Sequence, residues 1–142
     1  MAFLKLPMYG GLRIEDWFRQ VWVMLNRRCS GVYTPTYSSA TNVTALTLNE
    51  AQYVQVDDVV TIQGSFALTA ASSSPVFFLD IPKASVFTST TNASGILVST
   101  DTYATGYINA NAASSLIRVK IVYSPSVGSS KDWFYSLSYK IN

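Results

Sequence analysis

Apolar and polar side chains alternate over two segments near the end of the chain. Ile117, Val119, Ile121 and Tyr123 fall on one side of their segment, and Arg118 and Lys120 fall on the other. Residues 133–141 repeat the same period of two. This period is typical of β-strands with one buried face. Both segments are therefore predicted to be strands that cover a hydrophobic core.

Six further segments are predicted to be strands, because each is short, apolar or alternating, and bounded by Ser, Thr, Asn, Gly or Pro. They cover residues 44–48, 52–56, 59–68, 76–81, 96–100 and 102–109. The total of about eight strands is typical of an antiparallel β-sandwich or jelly roll. No segment between them has a helical stripe, so the fold is predicted to be mainly β.

One stretch ahead of the strands, residues 13–28, has the period of an amphipathic helix of about four turns. Acidic residues come early in it and arginines late, as the helix dipole favours. Large apolar side chains form or flank its stripe, and a helix with so wide an apolar surface needs more than one neighbour. These candidate anchoring residues are Ile14, Trp17, Phe18, Val21, Trp22 and Leu25.

The chain divides into a helical arm, residues 1–30, and a β-module, residues 31–142. The arm has five basic and two acidic side chains, a net charge of +3, whereas the module has five basic and six acidic ones, a net charge of −1. Two alternatives stay open for the helix. It packs on its own β-module, or it packs against copies of itself or a different protein, for which exposed aromatic anchors are typical.

Composition excludes several classes of protein. The chain has no histidine, so His-dependent catalytic triads and His-containing zinc sites are ruled out. Cys29 is the single cysteine and cannot form a disulfide within the chain. No nucleotide-binding or serine-nucleophile motif is found. We predict no cofactor, no metal, no nucleic-acid partner and no enzymatic activity.

No segment is predicted to enter a membrane or to direct secretion. Lys5, Pro7 and a pair of glycines interrupt the apolar start of the chain, which leaves no signal-peptide core. The longest uncharged apolar run of the helix is far shorter than the roughly 18 residues that span a bilayer.

Few carboxylates are placed for chemistry. Asp57 and Asp58 lie between two strand candidates, where a two-residue hairpin turn is the natural interpretation and a metal or acid–base pair is the alternative. Asp80 is predicted to end a strand, with its side chain in solvent or hydrogen-bonded. Arg118 and Lys120 could meet an anionic ligand such as an acidic sugar, although a solvated face or a guarded sheet edge is the commoner role.

Tyrosines are the more suggestive polar group. Several lie in segments dense in Ser, Thr and Asn, a composition typical of recognition surfaces that bind by stacking and hydroxyl contacts. Loops on a rigid sandwich are common recognition sites. Tyr103, Tyr107 and Asn109 are therefore the candidate contacts to a receptor.

The β-module resembles a module found at the C-termini of bacteriophage tail-fibre and related virion proteins. The resemblance rests on GVYTPTYSSATNV, YVQVDDVVTIQGSF, FLDIPKASVF and the closing WFYSLSYKI. The family has Gly-Asn in the hairpin where this chain has Asp57 and Asp58. The matching positions are Gly31, Tyr33, Thr34, Pro35, Thr36, Asn42, Val43, Tyr53, Val56, Val59, Val60, Thr61, Gly64, Pro82, Ala84, Ser85 and Tyr139.

The resemblance implies a β-sandwich that forms a homotrimer and decorates a virion, with no catalytic residues to carry over. We expect a virion structural protein, as a tail fibre, head fibre or decoration component. Its helix would attach to capsid, collar or tail proteins through residues 1–30, and its β-module could touch a host surface glycan. The alternative is a stand-alone carbohydrate-binding module, which has no need of an aromatic helix and stays monomeric.

Overall fold

The computed structural model describes residues 14–26, 28–123 and 126–141. The described residues form one α-helix, a short 3-10 turn and ten β-strands. The helix, α1, is Ile14–Asn26, and the turn is Thr90–Asn92. The strands are β1 Arg28–Tyr33, β2 Tyr37–Thr41, β3 Val43–Leu48, β4 Ala51–Val56, β5 Val59–Ala70, β6 Val76–Leu79, β7 Ala93–Ser99, β8 Thr105–Ala110, β9 Ile117–Tyr123 and β10 Ser130–Lys140.

The predicted helix and all eight predicted strands are confirmed, with boundaries that differ by a few residues. Two strands were not predicted, β1 and β2. β1 has residues on both sides of the predicted division between residues 30 and 31. The mainly β, antiparallel class is also confirmed.

All ten strands belong to a single antiparallel sheet that curls strongly into a half-barrel. Its order is β1-β4-β5-β10-β7-β8-β9-β6-β2. β10 pairs along almost the whole of β5 on one edge, so β3 and β4 lie end to end along the other edge. The last strand of the described chain thus lies near the middle of the sheet.

β2 and β3 follow one another but pair at distant places in the sheet, with β6 and with β5. Asn42 separates them and has φ 60°, a left-handed conformation that asparagine tolerates. Its side chain donates to the Ser74 carbonyl at 3.2 Å, and its own carbonyl accepts from the Ala71 amide at 2.8 Å. Because of this kink, the continuous segment 37–48 pairs with β6 through β2 and with β5 through β3. The β2 end of the sheet is thereby brought back toward β5.

The core fills the concave side of the curled sheet. The Phe66 ring of β5 meets the Phe77 ring of β6 edge-to-face with centroids 5.1 Å apart, although these two strands are not neighbours in the sheet. Trp133 of β10 stacks on Phe66 at 6.2 Å. All three side chains are fully buried, and burial of one such side chain stabilises the fold by about 2–3 kcal/mol. Curling of the sheet therefore brings its opposite walls into contact.

Candidate functional site

Two of the three predicted receptor contacts lie side by side on the outer surface of the sheet. Tyr107 lies opposite Lys120 in the pairing of β8 with β9, and Asn109 lies opposite Arg118. The residues that alternate with them are buried in the core, so these four face outward. All four are half-buried. We call them the β8–β9 patch.

Arg118 is held in place by both predicted contact residues. Its Nε donates to Asn109 Oδ1 at 3.3 Å. Its guanidinium carbon lies 5.7 Å from the centroid of the Tyr107 ring, within the range of a cation–π interaction. Among the described residues, the terminal NH₂ groups of Arg118 make no further hydrogen bond. A positioned guanidinium with free donors is therefore present on this surface.

Tyr103 is separate from the β8–β9 patch. It lies in the loop between β7 and β8 with 75% of its surface exposed. Within the described part of the chain it makes no hydrogen bond or ring contact with Tyr107 or Asn109. The structure thus brings together two of the three predicted contacts. Arg118 and Lys120 lie beside these two residues. The sequence did not predict this arrangement, because the alternation of apolar and polar residues does not give the register between β8 and β9.

A second outer surface is apolar. Phe134 of β10 lies opposite Val98 of β7, and Ile96 lies two residues further along β7 on the same side. Their exposed fractions are 51%, 55% and 68%, respectively. We call these three side chains the apolar outer patch. Such a cluster on the surface of a small domain is typical of an interaction site.

Helix α1 also leaves large apolar side chains in solvent. Phe18 is 61% exposed and Trp22 is 68% exposed, whereas Val21 is half-buried. The main contact of α1 with another element is with β1, the strand that follows it. The side chains of Ile14, Trp17 and Leu25 lie outside the described residues.

Asp57 and Asp58 form the predicted hairpin turn between β4 and β5. Asp57 has φ 54°, and its carbonyl accepts from Gln55 Nε2 at 2.8 Å. Asp58 forms an ion pair with Lys140, with 3.0 Å between Oδ2 and Nζ. The hydrogen bond from Lys140 lowers the pKa of the Asp58 carboxyl. Two exposed carboxylates in a tight turn, one of them paired, lack the shared environment of an acid–base pair.

Several residues that carry the family resemblance meet in one tyrosine cluster, made of Tyr33, Tyr53, Tyr135 and Tyr139. The Tyr33 and Tyr53 rings lie edge-to-face at 6.3 Å. The Tyr139 hydroxyl donates to the Lys83 carbonyl at 2.8 Å and accepts from the Lys83 amide at 3.2 Å. This cluster ties the C-terminal strand to the segment after β6.

Burial makes three tyrosines of the cluster hard to ionise. Removal from water raises the pKa of Tyr135 and of Tyr139 to about 12, and it also raises the pKa of Tyr33. The Tyr33 and Tyr135 hydroxyls influence each other's pKa, but the Tyr135 hydroxyl is buried and has no hydrogen bond of ordinary geometry to any described residue. These three side chains are thus packed as neutral groups rather than poised for proton transfer.

Asp80 connects two further motif segments. Its Oδ1 accepts from the Thr36 amide at 2.7 Å, and its Oδ2 accepts from the Thr36 hydroxyl at 2.9 Å. The Asp80 amide in turn donates to the Thr36 carbonyl at 3.1 Å. Asp80 was predicted to end a strand with its side chain in solvent or hydrogen-bonded, and the structure shows the hydrogen-bonded alternative directly after β6. The TPT and LDIP segments therefore have a structural role here.

Metal sites and membrane spans are the other kinds of site considered for the described residues. No group of three or more metal-ligating side chains occurs among the described residues. In the same part of the chain, no helix has the length and hydropathy needed to cross a bilayer.

Comparison with known proteins gives no match of any of three kinds. No family model, curated protein or solved structure matches this chain.

Proposed function

We propose that this protein is a structural component of a bacteriophage virion, in which α1 attaches the chain to the particle and the β-module projects as a homotrimer. The observation that carries the proposal is the exposure of large apolar side chains in two separate places, on α1 and in the apolar outer patch. A small domain with two such surfaces is better suited to an assembly than to a free monomer.

The resemblance in residues 31–142 supplies the virion context. Its matching positions include three tyrosines of the cluster, Tyr33, Tyr53 and Tyr139, and also Thr36, which binds Asp80. The finer fold that the resemblance implies, a β-sandwich or jelly roll, is part of the same proposal. The contact between Phe66 and Phe77 across the concave side supports it, because the facing walls of those folds also share one core.

The apolar outer patch is the surface that we assign to trimer contacts. Its three side chains are uncharged, so their burial between copies related by a threefold axis desolvates no charge of the patch itself. Closed cyclic symmetry then covers the patch on every copy.

Sedimentation equilibrium of the full chain tests this proposal. We expect a mass three times the 15.6 kDa of one chain. Ile96→Thr combined with Phe134→Ser should shift the protein to monomers. Val122→Thr, at a β9 side chain of 50% exposure outside the patch, is the matched control and should leave the trimer intact.

A stand-alone carbohydrate-binding module is the second candidate, and the β8–β9 patch is the observation that favours it. The same experiment separates the two. A wild-type chain that sediments as a monomer at micromolar concentration would contradict the virion trimer and support the module.

A further inference from the structure

The β8–β9 patch has an unbalanced positive charge. Arg118 and Lys120 both lie in β9, and neither has an ion-pair partner among the described residues. The strands on either side of β9 in the sheet, β8 and β7 on one side and β6 and β2 on the other, contain no acidic residue. Two cations therefore face solvent on a part of the sheet without a compensating carboxylate.

Protection of a sheet edge does not account for these cations. β9 pairs with β8 on one side and with β6 on the other, so it is an inner strand with no free edge. Charged side chains on edge strands prevent unwanted pairing, but an inner strand has no such need. For Arg118 and Lys120 this leaves a solvated face or contact with an anionic ligand.

The neighbours of the two cations suit a sugar polymer. Arg118 lies between Asn109 of β8 and Phe78 of β6, and Lys120 lies between Tyr107 and Val76. The amide nitrogen of Asn109 is available to donate to a hydroxyl, because its Oδ1 already accepts from Arg118. The surface thus combines two cations, an amide and a tyrosine on a rigid sheet.

We propose that the β8–β9 patch binds an anionic glycan, with Arg118 and Lys120 contacting its acidic groups and Asn109 and Tyr107 contacting its hydroxyl groups and rings. Guanidinium and ammonium groups form strong, charge-assisted hydrogen bonds with carboxylate and phosphate alike. The acidic groups could therefore be uronic-acid carboxylates or the phosphodiesters of a polyol-phosphate polymer. This inference rests on the host-surface contact of the proposed function and names the chemistry of the receptor.

Binding of the full chain to three immobilised polymers tests the inference. The polymers are polygalacturonate, poly(glycerol phosphate) and neutral dextran. We expect binding to one or both of the anionic polymers and none to dextran, and the two anionic arms identify which acidic group is preferred. Arg118→Gln with Lys120→Gln should weaken this binding at least about tenfold, since charged hydrogen bonds are lost.

A control variant separates a specific site from general attraction. Lys131→Gln with Lys140→Gln removes the same charge elsewhere on the surface and should change affinity by less than about twofold. Lys120→Gln alone should also weaken binding. This single variant keeps Arg118, so it tests the site even if loss of Arg118 disturbs the fold. Equal losses in the two double variants, binding to dextran, or no binding to either anionic polymer would overturn the inference.

The result is independent of the proposed assembly. Each variant is also sedimented, and all are expected to remain trimeric, because the apolar outer patch is unchanged. A trimer that binds no anionic polymer contradicts only the glycan site. A monomer that binds polygalacturonate contradicts the virion trimer and leaves the site in place.

Discussion

The glycines of the motif act by letting tyrosine rings approach the backbone. A Cβ added at Gly64 would lie 2.5 Å from the Tyr135 hydroxyl, and one added at Gly31 would lie 2.9 Å from the Tyr53 ring. Both distances are shorter than a side chain can tolerate. The sequence pattern marks these glycines as motif positions, but the need for glycine comes from rings that lie directly opposite on the paired strand and are distant along the chain.

For two tyrosines of the cluster we expect loss of the hydroxyl group to have different effects on the free energy of unfolding. Tyr139→Phe leaves the part-buried Lys83 amide without its acceptor, so we expect it to lower the free energy of unfolding by about 1–3 kcal/mol. Tyr135→Phe removes a buried hydroxyl that has no hydrogen bond of ordinary geometry. It should leave the free energy of unfolding unchanged or raise it.

Urea denaturation of the two single variants checks this difference, and each tyrosine serves as the control for the other. Equal destabilisation by both substitutions would show that the Tyr135 hydroxyl has a hydrogen-bond partner after all.

At the scale of the elements, alternation was a reliable guide where a strand has one buried face. The eight predicted strands each contain buried or half-buried apolar positions in a period of two or in a short apolar run. β1 and β2 lack this signal. β2 reads YSSAT and is exposed at every position, so only backbone pairing with β6 makes it a strand. That pairing cannot be inferred from side-chain hydropathy.

Helix α1 is the element on which attachment depends. Phe18→Ala with Trp22→Ala should leave the β-module folded, because α1 contacts it mainly through β1. The same variant should reduce incorporation of the protein into phage particles, since exposed aromatic anchors contribute about 2 kcal/mol or more each when buried at an interface. Quantitative gel analysis of purified particles gives the number of copies retained.

Arg19→Ala with Gln20→Ala is the control for α1, because both side chains are exposed and polar on the same helix. It should leave incorporation unchanged. Particles that contain as many copies of the Phe18→Ala and Trp22→Ala double variant as of the wild-type protein would contradict the assignment of α1 as the anchor.

At the scale of the whole molecule, the sequence pattern does not predict which strands pair with one another. β5 pairs with β10 although residues 71–129 separate the two strands along the chain. The kink at Asn42 that leads β3 back to β5 is marked in the sequence by the motif positions Asn42 and Val43, which do not reveal the pairing of β3. The same holds for the β8–β9 patch. Tyr107 and Asn109 were predicted contacts, but their register with Lys120 and Arg118 is fixed by the connection between β8 and β9, which side-chain alternation does not encode.

Stability of the whole fold should fall in alkaline solution. Burial raises the pKa of Tyr135 and Tyr139 from 10 to about 12, and Tyr33 shifts in the same direction. Below pH 10 these groups are neutral in both the folded and unfolded states. Above pH 10 the unfolded chain loses protons that the folded chain retains, so the free energy of unfolding decreases as pH rises toward 12.

Urea midpoints measured between pH 9 and pH 12 check this expectation about tyrosine. Tyr135→Phe should make the decline shallower, because it removes one group whose ionisation favours the unfolded chain. A midpoint that stays constant over this range would show that the cluster is accessible to water.

The position of β10 also sets the order in which the molecule can form during its own synthesis. β5 and β7 become joined only when β10 inserts between them, and β10 follows the other nine strands along the chain, so it is synthesised after them. Until then, the β1-β4-β5 group and the β7-β8-β9-β6 group are separate ribbons that share no ladder. At about 5–20 residues per second, both ribbons wait for seconds with open edges. Nascent chains from neighbouring ribosomes could exchange strands in this interval. The yield of correctly paired protein should therefore fall when many ribosomes translate one messenger RNA at the same time.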